Sequence, residues 1–208
     1  MYARSTILRG NPEAIDEGMA YVRDEVMPMV RGTGDGYIGL SMLADRDSGR
    51  CIVTTAWRDE AAMQASAEAV RASRARAAEI FGGGEPEVRE WEIAMMHRVH
   101  ETSDGARTRV IWGHTEQGQT DRMLDEFRMT MLPQIEELPG FCSLNLMVDR
   151  QSGRTALAVA YESADAMERA NERAAALRAR SGETISMQID EVAEFDLLLA
   201  HLRVPEMA

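Results

Sequence analysis

The sequence predicts an α+β fold made of two copies of one β-α-β-β-α-β unit. Three observations carry that prediction. The hexapeptide Asp45-Arg46-Asp47-Ser48-Gly49-Arg50 returns as Asp149-Arg150-Gln151-Ser152-Gly153-Arg154, at an offset of 149 − 45 = 104 residues. Each copy lies between two apolar runs of strand length, Ile38 to Ala44 and Cys51 to Ala56 in the first, Phe141 to Val148 and Thr155 to Ala160 in the second. The order of strand-like and helix-like segments around the hexapeptide is the same both times. A polar loop with a late Gly between two such runs is a β-hairpin signal: Gly takes the positive φ that closes the turn, and Asp and Ser side chains hold its backbone.

Residues 2–9 read as a first strand. Asn11-Pro12-Glu13 supplies a helix start, with Asn as N-cap, Pro in the first helical position and an acid in the first turn. Ile15, Met19, Val22 and Val26 give that helix an apolar face, and Pro28 is expected to end or kink it. Gly32, Gly34 and Gly36 lead into strand Tyr37 to Ala44, followed by the hairpin and strand Cys51 to Trp57. Asp59 can cap a helix over residues 60–81, carrying Met63, Val70, Ala77 and Phe81 on one side and stopped by Gly82-Gly83-Gly84. A fourth strand covers residues 88–96. The order then repeats: strand 107–114, a helix capped by Thr120, the second hairpin, a helix over residues 164–180 capped by Ser163, and strand 189–199. Leu132-Pro133 matches Met27-Pro28 after a shift of one residue, and Val192, Glu194 and Phe195 fall 104 residues after Val88, Glu90 and Trp91.

This order implies a four-stranded antiparallel sheet with both helices on one face, a ferredoxin-like unit. The uncovered sheet face must be buried somewhere. Two units in one chain can pack sheet to sheet, as a single-chain pseudo-dimeric α+β barrel. The expected organisation is a first repeat at 1–98, a linker at 99–106 and a second repeat at 107–208.

Composition narrows function mostly by exclusion. The 208 residues include 45% hydrophobic residues, within the globular range. Net charge is −12 with no basic block, which argues against nucleic acid. The chain contains no lysine, so Schiff-base, pyridoxal-phosphate and P-loop chemistries are excluded. Two cysteines, Cys51 and Cys142, fall in strands and read as buried hydrophobes rather than a disulfide framework. With neither a leader pattern nor an apolar run of membrane-spanning length, the expectation is a cytoplasmic protein without a membrane partner.

Trp57-Arg58-Asp59-Glu60-Ala61-Ala62-Met63 resembles the strand-to-helix junction of antibiotic-biosynthesis-monooxygenase (ABM) proteins, which are dimeric α+β barrels. Tyr161-Glu162-Ser163-Ala164-Asp165-Ala166-Met167 resembles it more loosely. With the duplicated plan, the resemblance extends over nearly the whole chain as a tandem, single-chain version of the dimer. It implies a cofactor-independent oxygenase acting on a small aromatic or polyketide-like compound, with no metal or cofactor. Two departures stand out. Many family members carry a His three residues after the position of Met63, where this chain has Ser66, and Ala170 in the second repeat. The family's haem degraders ligate iron through a His on that helix and need an Asn on the first strand; this chain has neither.

The candidate catalytic residues are His114, Asn145 and Trp112. Strand alternation puts Val110, Trp112 and His114 on one face, with Gly113 leaving room for a ligand. A His can remove a phenolic proton, and Trp112 can wall a planar substrate. Asn145, with Phe141, Ser143 and Met147 on its face, can orient a carbonyl or dioxygen. Each also has a plain structural role open to it: Trp112 as core, His114 as a strand-end group, Asn145 as a backbone partner. The first repeat has Ile7, Arg9 and Ser41 at these places, which points to the second repeat for chemistry. His97 and His201 match in position and suggest a strand-end role; His97-x-x-His100 lacks the further ligands of a metal site. Glu90, Glu92, Glu194 and Asp196 read as a solvated strand face, with Trp91 and Phe195 as core behind it. The competing functions are an ABM-like oxygenase, a non-catalytic binding or interaction protein with an apolar pocket, and a haem-binding protein. The expected partner is a small apolar or aromatic ligand, and the expected state is a monomer or a homodimer.

Overall fold

The computed structural model describes residues 1–102 and 104–202, without the side chain of Leu202. The expected linker therefore includes one residue, Ser103, outside the described set, and the expected second repeat runs six residues past it. The first repeat consists of β1 (Tyr2–Arg9), helix α1 (residues 12–31), β2 (Tyr37–Asp45), β3 (Arg50–Trp57), α2 (Glu60–Ala65), α3 (Ala67–Phe81) and β4 (Glu87–Arg98). The second consists of β5 (Arg107–Thr115), helix α4 (residues 120–136), β6 (Phe141–Asp149), β7 (Arg154–Tyr161), α5 (Ala164–Arg169), α6 (Asn171–Ile185) and β8 (Met187–Leu202). The predicted β-α-β-β-α-β order is present twice. The strands hydrogen-bond in the order β1-β3-β2-β8-β5-β7-β6-β4, which closes on itself as an eight-stranded barrel within one chain.

The chain forms two compact units. One holds Met1–Trp91 and the end of β8 from Phe195; the other holds Glu92–Glu194. Each has its own core between its helices and its sheet. In the first unit Leu8, Leu40, Met42 and Trp57 meet Ile15, Val22, Met63 and Phe81. In the second Leu144, Leu146, Leu157 and Val159 meet Met123, Phe127, Met167 and Leu177. Trp91 and Phe195 are buried as expected. Both cysteines are buried and free, and burial pushes the Cys51 thiol up to about 12.

Local chemistry explains most element ends. Asn11 accepts from the Glu13 amide at 3.0 Å, Asp59 from Ala62 at 2.8 Å and Ser163 from Ala166 at 3.2 Å, each satisfying an orphan amide of a helix start. Thr120 does not cap: it is the first residue of α4, whose cap position is Gln119. The helix expected over residues 60–81 breaks at Ser66, at φ −77 and ψ −11. Ala170 breaks the second copy at φ −78 and ψ −14, so the break is not made by the serine hydroxyl.

Pro28 does not end α1. It lacks the N–H that would bond the carbonyl of Asp24. The helix passes it by widening into a π turn at Val22–Val26, where the Met27 amide reaches back to Val22, and then continues through Met27–Arg31. Pro133 is accommodated in the same way by Phe127–Met131, with the Leu132 amide on Phe127.

In the hairpins, Asp45 accepts from the Asp47 and Ser48 amides at 3.0 and 3.3 Å, and Asp149 repeats the pattern on Gln151 and Ser152. Gly49 sits at φ +71, and a Cβ there would lie 2.0 Å from the Gly10 carbonyl oxygen. Both backbone strain and the clash oppose any side chain. Gly49→Ala is expected to destabilise the first unit by about 2 kcal/mol or more. A urea melt showing a cost below about 0.5 kcal/mol would contradict this account of the turn.

Candidate functional site

A shallow cleft, open to solvent, lies between sheet and helices of the first unit. Its floor is β1 and β3: Arg4 pairs with Thr55 and Thr6 with Val53, and opposed residues of antiparallel strands share a face. Leu8 extends that floor. Val22, Val26 and Val30 of α1 form one wall, and Val70, Ser73, Arg74 and Ala77 of α3 form the other. The first two valines bracket the π turn, so the widening that Pro28 imposes is built into the wall; π turns recur at functional sites.

The second unit shows why this cleft stays open. Its β5 and α4 correspond to β1 and α1 at an offset of 105 (Arg4 to Arg109), and β7 and α6 to β3 and α3 at 104 (Arg50 to Arg154, Ala67 to Asn171). At the lining positions Thr6 becomes Ile111, Val22 Phe127, Val26 Met131, Val30 Ile135, Val53 Leu157 and Ser73 Leu177. All six replacements are bulkier and buried in the second core, whereas two other lining positions become smaller, Leu8 to Gly113 and Val70 to Ala174. Six positions that line the cleft in the first unit thus carry larger, buried side chains in the second.

Buried arginines anchor both units. Arg4 is 3% exposed. Its Nε and Nη2 donate to Glu90 at 2.9 and 2.8 Å, Nη1 to Ser66 Oγ at 2.9 Å and Nη2 to the Met63 carbonyl at 3.0 Å. Ser66, where many ABM proteins carry His, thus holds this guanidinium. Arg109 is 2% exposed and donates to Glu194 at 3.0 and 2.6 Å and to Asn171 Oδ1 at 3.3 Å, with its guanidinium 5.8 Å from the Tyr161 ring centroid. Asn171 takes over the acceptor role that Ala170 cannot fill. Glu90 and Glu194, expected on a solvated face, are the counter-ions of buried charge. Neither arginine stands out in the sequence, because an Arg on a strand ordinarily faces water. A second arginine, Arg74, reaches the cleft from α3. Burial first, and then the positive charges of Arg4 and Arg71, hold it below the ordinary arginine range, with Glu90 opposing.

The cleft is not lined by Trp112, His114 or Asn145. Trp112 and Met147 both oppose Ala156, while Val110 and Asn145 both oppose Ala158. These residues therefore share one face, but it is the face away from the helices, and β7 separates Asn145 from β5 by roughly 10 Å. Trp112 is buried. His114 turns to Asp190, its Nδ1 lying 2.8 and 3.0 Å from the two carboxylate oxygens, with both side chains about half exposed. Gly113 makes room for backbone rather than for a ligand, since a Cβ there would lie 2.3 Å from the Gln188 carbonyl oxygen. Phe141 is moved off the face of Asn145 by a register shift before Ser143, and joins the helix-side core. His97 pairs with Glu136 at 2.6 Å and stacks on Phe141, a strand-end role of its own. Among the described residues no helix is long and apolar enough to cross a membrane.

No family model matches the chain. The uncharacterized protein Rv2557 of Mycobacterium tuberculosis is 50% identical over all 208 residues, covering 100% of this chain and 92% of that protein. The uncharacterized protein Rv2558 of the same organism is 45% identical, covering 100% and 87%. Among solved structures, an anthrone oxidase-like protein superposes with a TM-score of 0.66 at 14% identity, covering 100% of this chain and 95% of that one. A ferredoxin fold protein from Listeria monocytogenes, described as related to antibiotic biosynthesis monooxygenases, superposes with a TM-score of 0.51 at 12% identity, covering 99% and 95%. At these identities the structures speak for the fold alone, and it is the one that the Trp57–Met63 junction and the duplication imply. The chain belongs to the family of Rv2557 and Rv2558, and it is built on the ABM-like dimeric α+β barrel fold within a single polypeptide.

Proposed function

We propose that the protein binds a small, mainly apolar, ring-containing molecule in the cleft of its first unit. The observation that carries this reading is the asymmetry of the duplication: the first unit holds a cleft between sheet and helices, and six of its lining positions carry larger, buried side chains in the second. Ligand sites are concave and mostly apolar, with a few placed polar groups. Here the valines and Leu8 provide the apolar walls, and Thr6, Thr55, Ser73 and the guanidinium groups provide the polar points. The lining holds no His, Cys, Tyr, Asp or Glu, so binding needs nothing more, whereas proton transfer would need a base from solvent.

A second reading, cofactor-independent oxygenation, is favoured by the arginines beside the cleft and by the likeness to the anthrone oxidase-like protein. A fixed positive charge stabilises a phenolate or enolate, the species that gives electrons directly to dioxygen. For an anthrone, dioxygen is the oxidant, and the products are an anthraquinone and water. The test is calorimetric titration with a panel of anthrones and naphthols, run in parallel with an oxygen electrode. Saturable binding without oxygen uptake supports the binding protein. Uptake that survives His114→Ala supports oxygenation in the cleft, and uptake abolished by that change moves the chemistry to the second unit. Absence of binding and uptake across the panel sinks both readings.

A further inference from the structure

We propose that the ligand is an arene carboxylate whose carboxylate is held by Arg74, the apolar ring lying between α1 and the β1–β3 floor. This rests on the reading of the cleft as a binding site and adds the ligand's charge and its anchor.

The argument is one of unmatched charge. Two guanidinium groups, Arg4 and Arg74, line the cleft. The nearby carboxylate, Glu90, is already spent: Oε1 accepts both bonds from Arg4, and Oε2 accepts from Gln64 Nε2 at 2.8 Å. Arg74 donates through Nε to the Val70 carbonyl at 3.3 Å, and among the described residues its two terminal nitrogens meet no acceptor. Arg71, the other nearby cation, has its own partner in Glu68 at 3.1 Å. The cleft thus sets two guanidinium groups against one nearby carboxylate, in a protein whose net charge is −12. A half-buried guanidinium gains most from a planar anion that accepts two parallel N–H bonds, which is the geometry of a carboxylate. Thr6, whose hydroxyl has no partner among the described residues, can donate to the same group. One uncompensated charge and walls of valine fit a monoanion with an apolar body better than a phosphate dianion. The second unit supplies a comparison: Arg178, the counterpart of Arg74, also has a buried guanidinium nitrogen without a hydrogen bond, but Ile111 and Leu177 stand where the first unit has Thr6 and Ser73.

The test is calorimetric titration with 2-naphthoate and its neutral analogue 2-naphthamide. Wild-type protein is expected to bind the naphthoate about tenfold or more tighter than the amide. Arg74→Met should remove that preference, bringing the two affinities within about twofold of each other, while Arg178→Met should leave the preference in place. Arg74→Gln, checked for folding by circular dichroism, serves if the methionine variant fails to fold; the wild-type comparison needs no variant at all. Equal wild-type affinity for the two probes overturns the anionic ligand and leaves the cleft reading standing. A naphthoate preference that persists in both Arg74 variants overturns the anchor. Binding of neither probe overturns both the inference and the reading beneath it.

Discussion

Giving the first unit the second unit's side chains at Thr6→Ile, Val53→Leu and Ser73→Leu together is expected to abolish binding of neutral 2-naphthamide. The loss should be on the order of a hundredfold, about 2.7 kcal/mol. The substituted residues are those found at Ile111, Leu157 and Leu177, all buried within an equivalent β-α-β-β-α-β frame. They enlarge side chains that face open space, so they add apolar contact instead of overpacking a full core. None of the three removes a hydrogen bond that another buried group needs. The Ser73 hydroxyl serves only its own helix, through the Val70 carbonyl. Thr55 is left alone because it accepts from Trp57 Nε1 at 3.3 Å, and that indole is fully buried. Thermal unfolding should therefore hold steady or rise, by ~2–4 °C for each kcal/mol gained. A variant that keeps its affinity would show that the ligand sits elsewhere. A variant that melts well below wild type would show that the cleft is needed for folding.

Glu194→Ala carries the second large effect. It leaves Arg109, 2% exposed, without the carboxylate that accepts two of its bonds. Stranding a buried charge costs about 3–5 kcal/mol when both partners are buried. Glu194 is 44% exposed, so solvent screens part of the pair and the lower end applies, about 3 kcal/mol. That corresponds to a Tm about 6–12 °C lower. Replacing both partners, as Arg109→Met with Glu194→Met, should recover most of the loss, because the buried charge goes together with its need for a partner. Differential scanning calorimetry of the two variants decides it. A double variant as unstable as Glu194→Ala would mean that Arg109 acts through the Tyr161 face and Asn171, and the ion pair would lose its assigned role.

Some features were fixed close to the residues that encode them. Asn11, Asp59 and Ser163 cap helices through amides two or three residues away, and Asp45 and Asp149 hold their turns over the same distance. Such bonds depend on neighbours in the chain, which a sequence displays. The repeat of the Asp45–Arg50 turn gave the duplication, and the duplication gave the order of elements. Pro28 does not end its helix, for a definite reason. Its missing N–H does break an α-type bond, but a packed helix with a buried apolar face can absorb the loss as a π turn.

The site belongs to the other class. Arg4 reads as an ordinary strand residue until the fold brings Glu90 to it from 86 positions along the chain. The six larger side chains of the second unit were visible in the sequence, since Thr6 against Ile111 and Ser73 against Leu177 can be set side by side. Their meaning was not, because whether a position lines a cleft depends on which faces of sheet and helix oppose each other. The same differences taken on the opposite face of the sheet point instead to Trp112, His114 and Asn145, which do not line this cleft. By itself the sequence determined the duplicated β-α-β-β-α-β plan, its turns and its caps, all of which rest on short-range bonding and periodicity. Only the tertiary structure decided where the first unit opens a cleft and how Arg74 comes to face it without an acceptor for its terminal nitrogens, because packing volume and charge compensation arise between residues that meet only after folding.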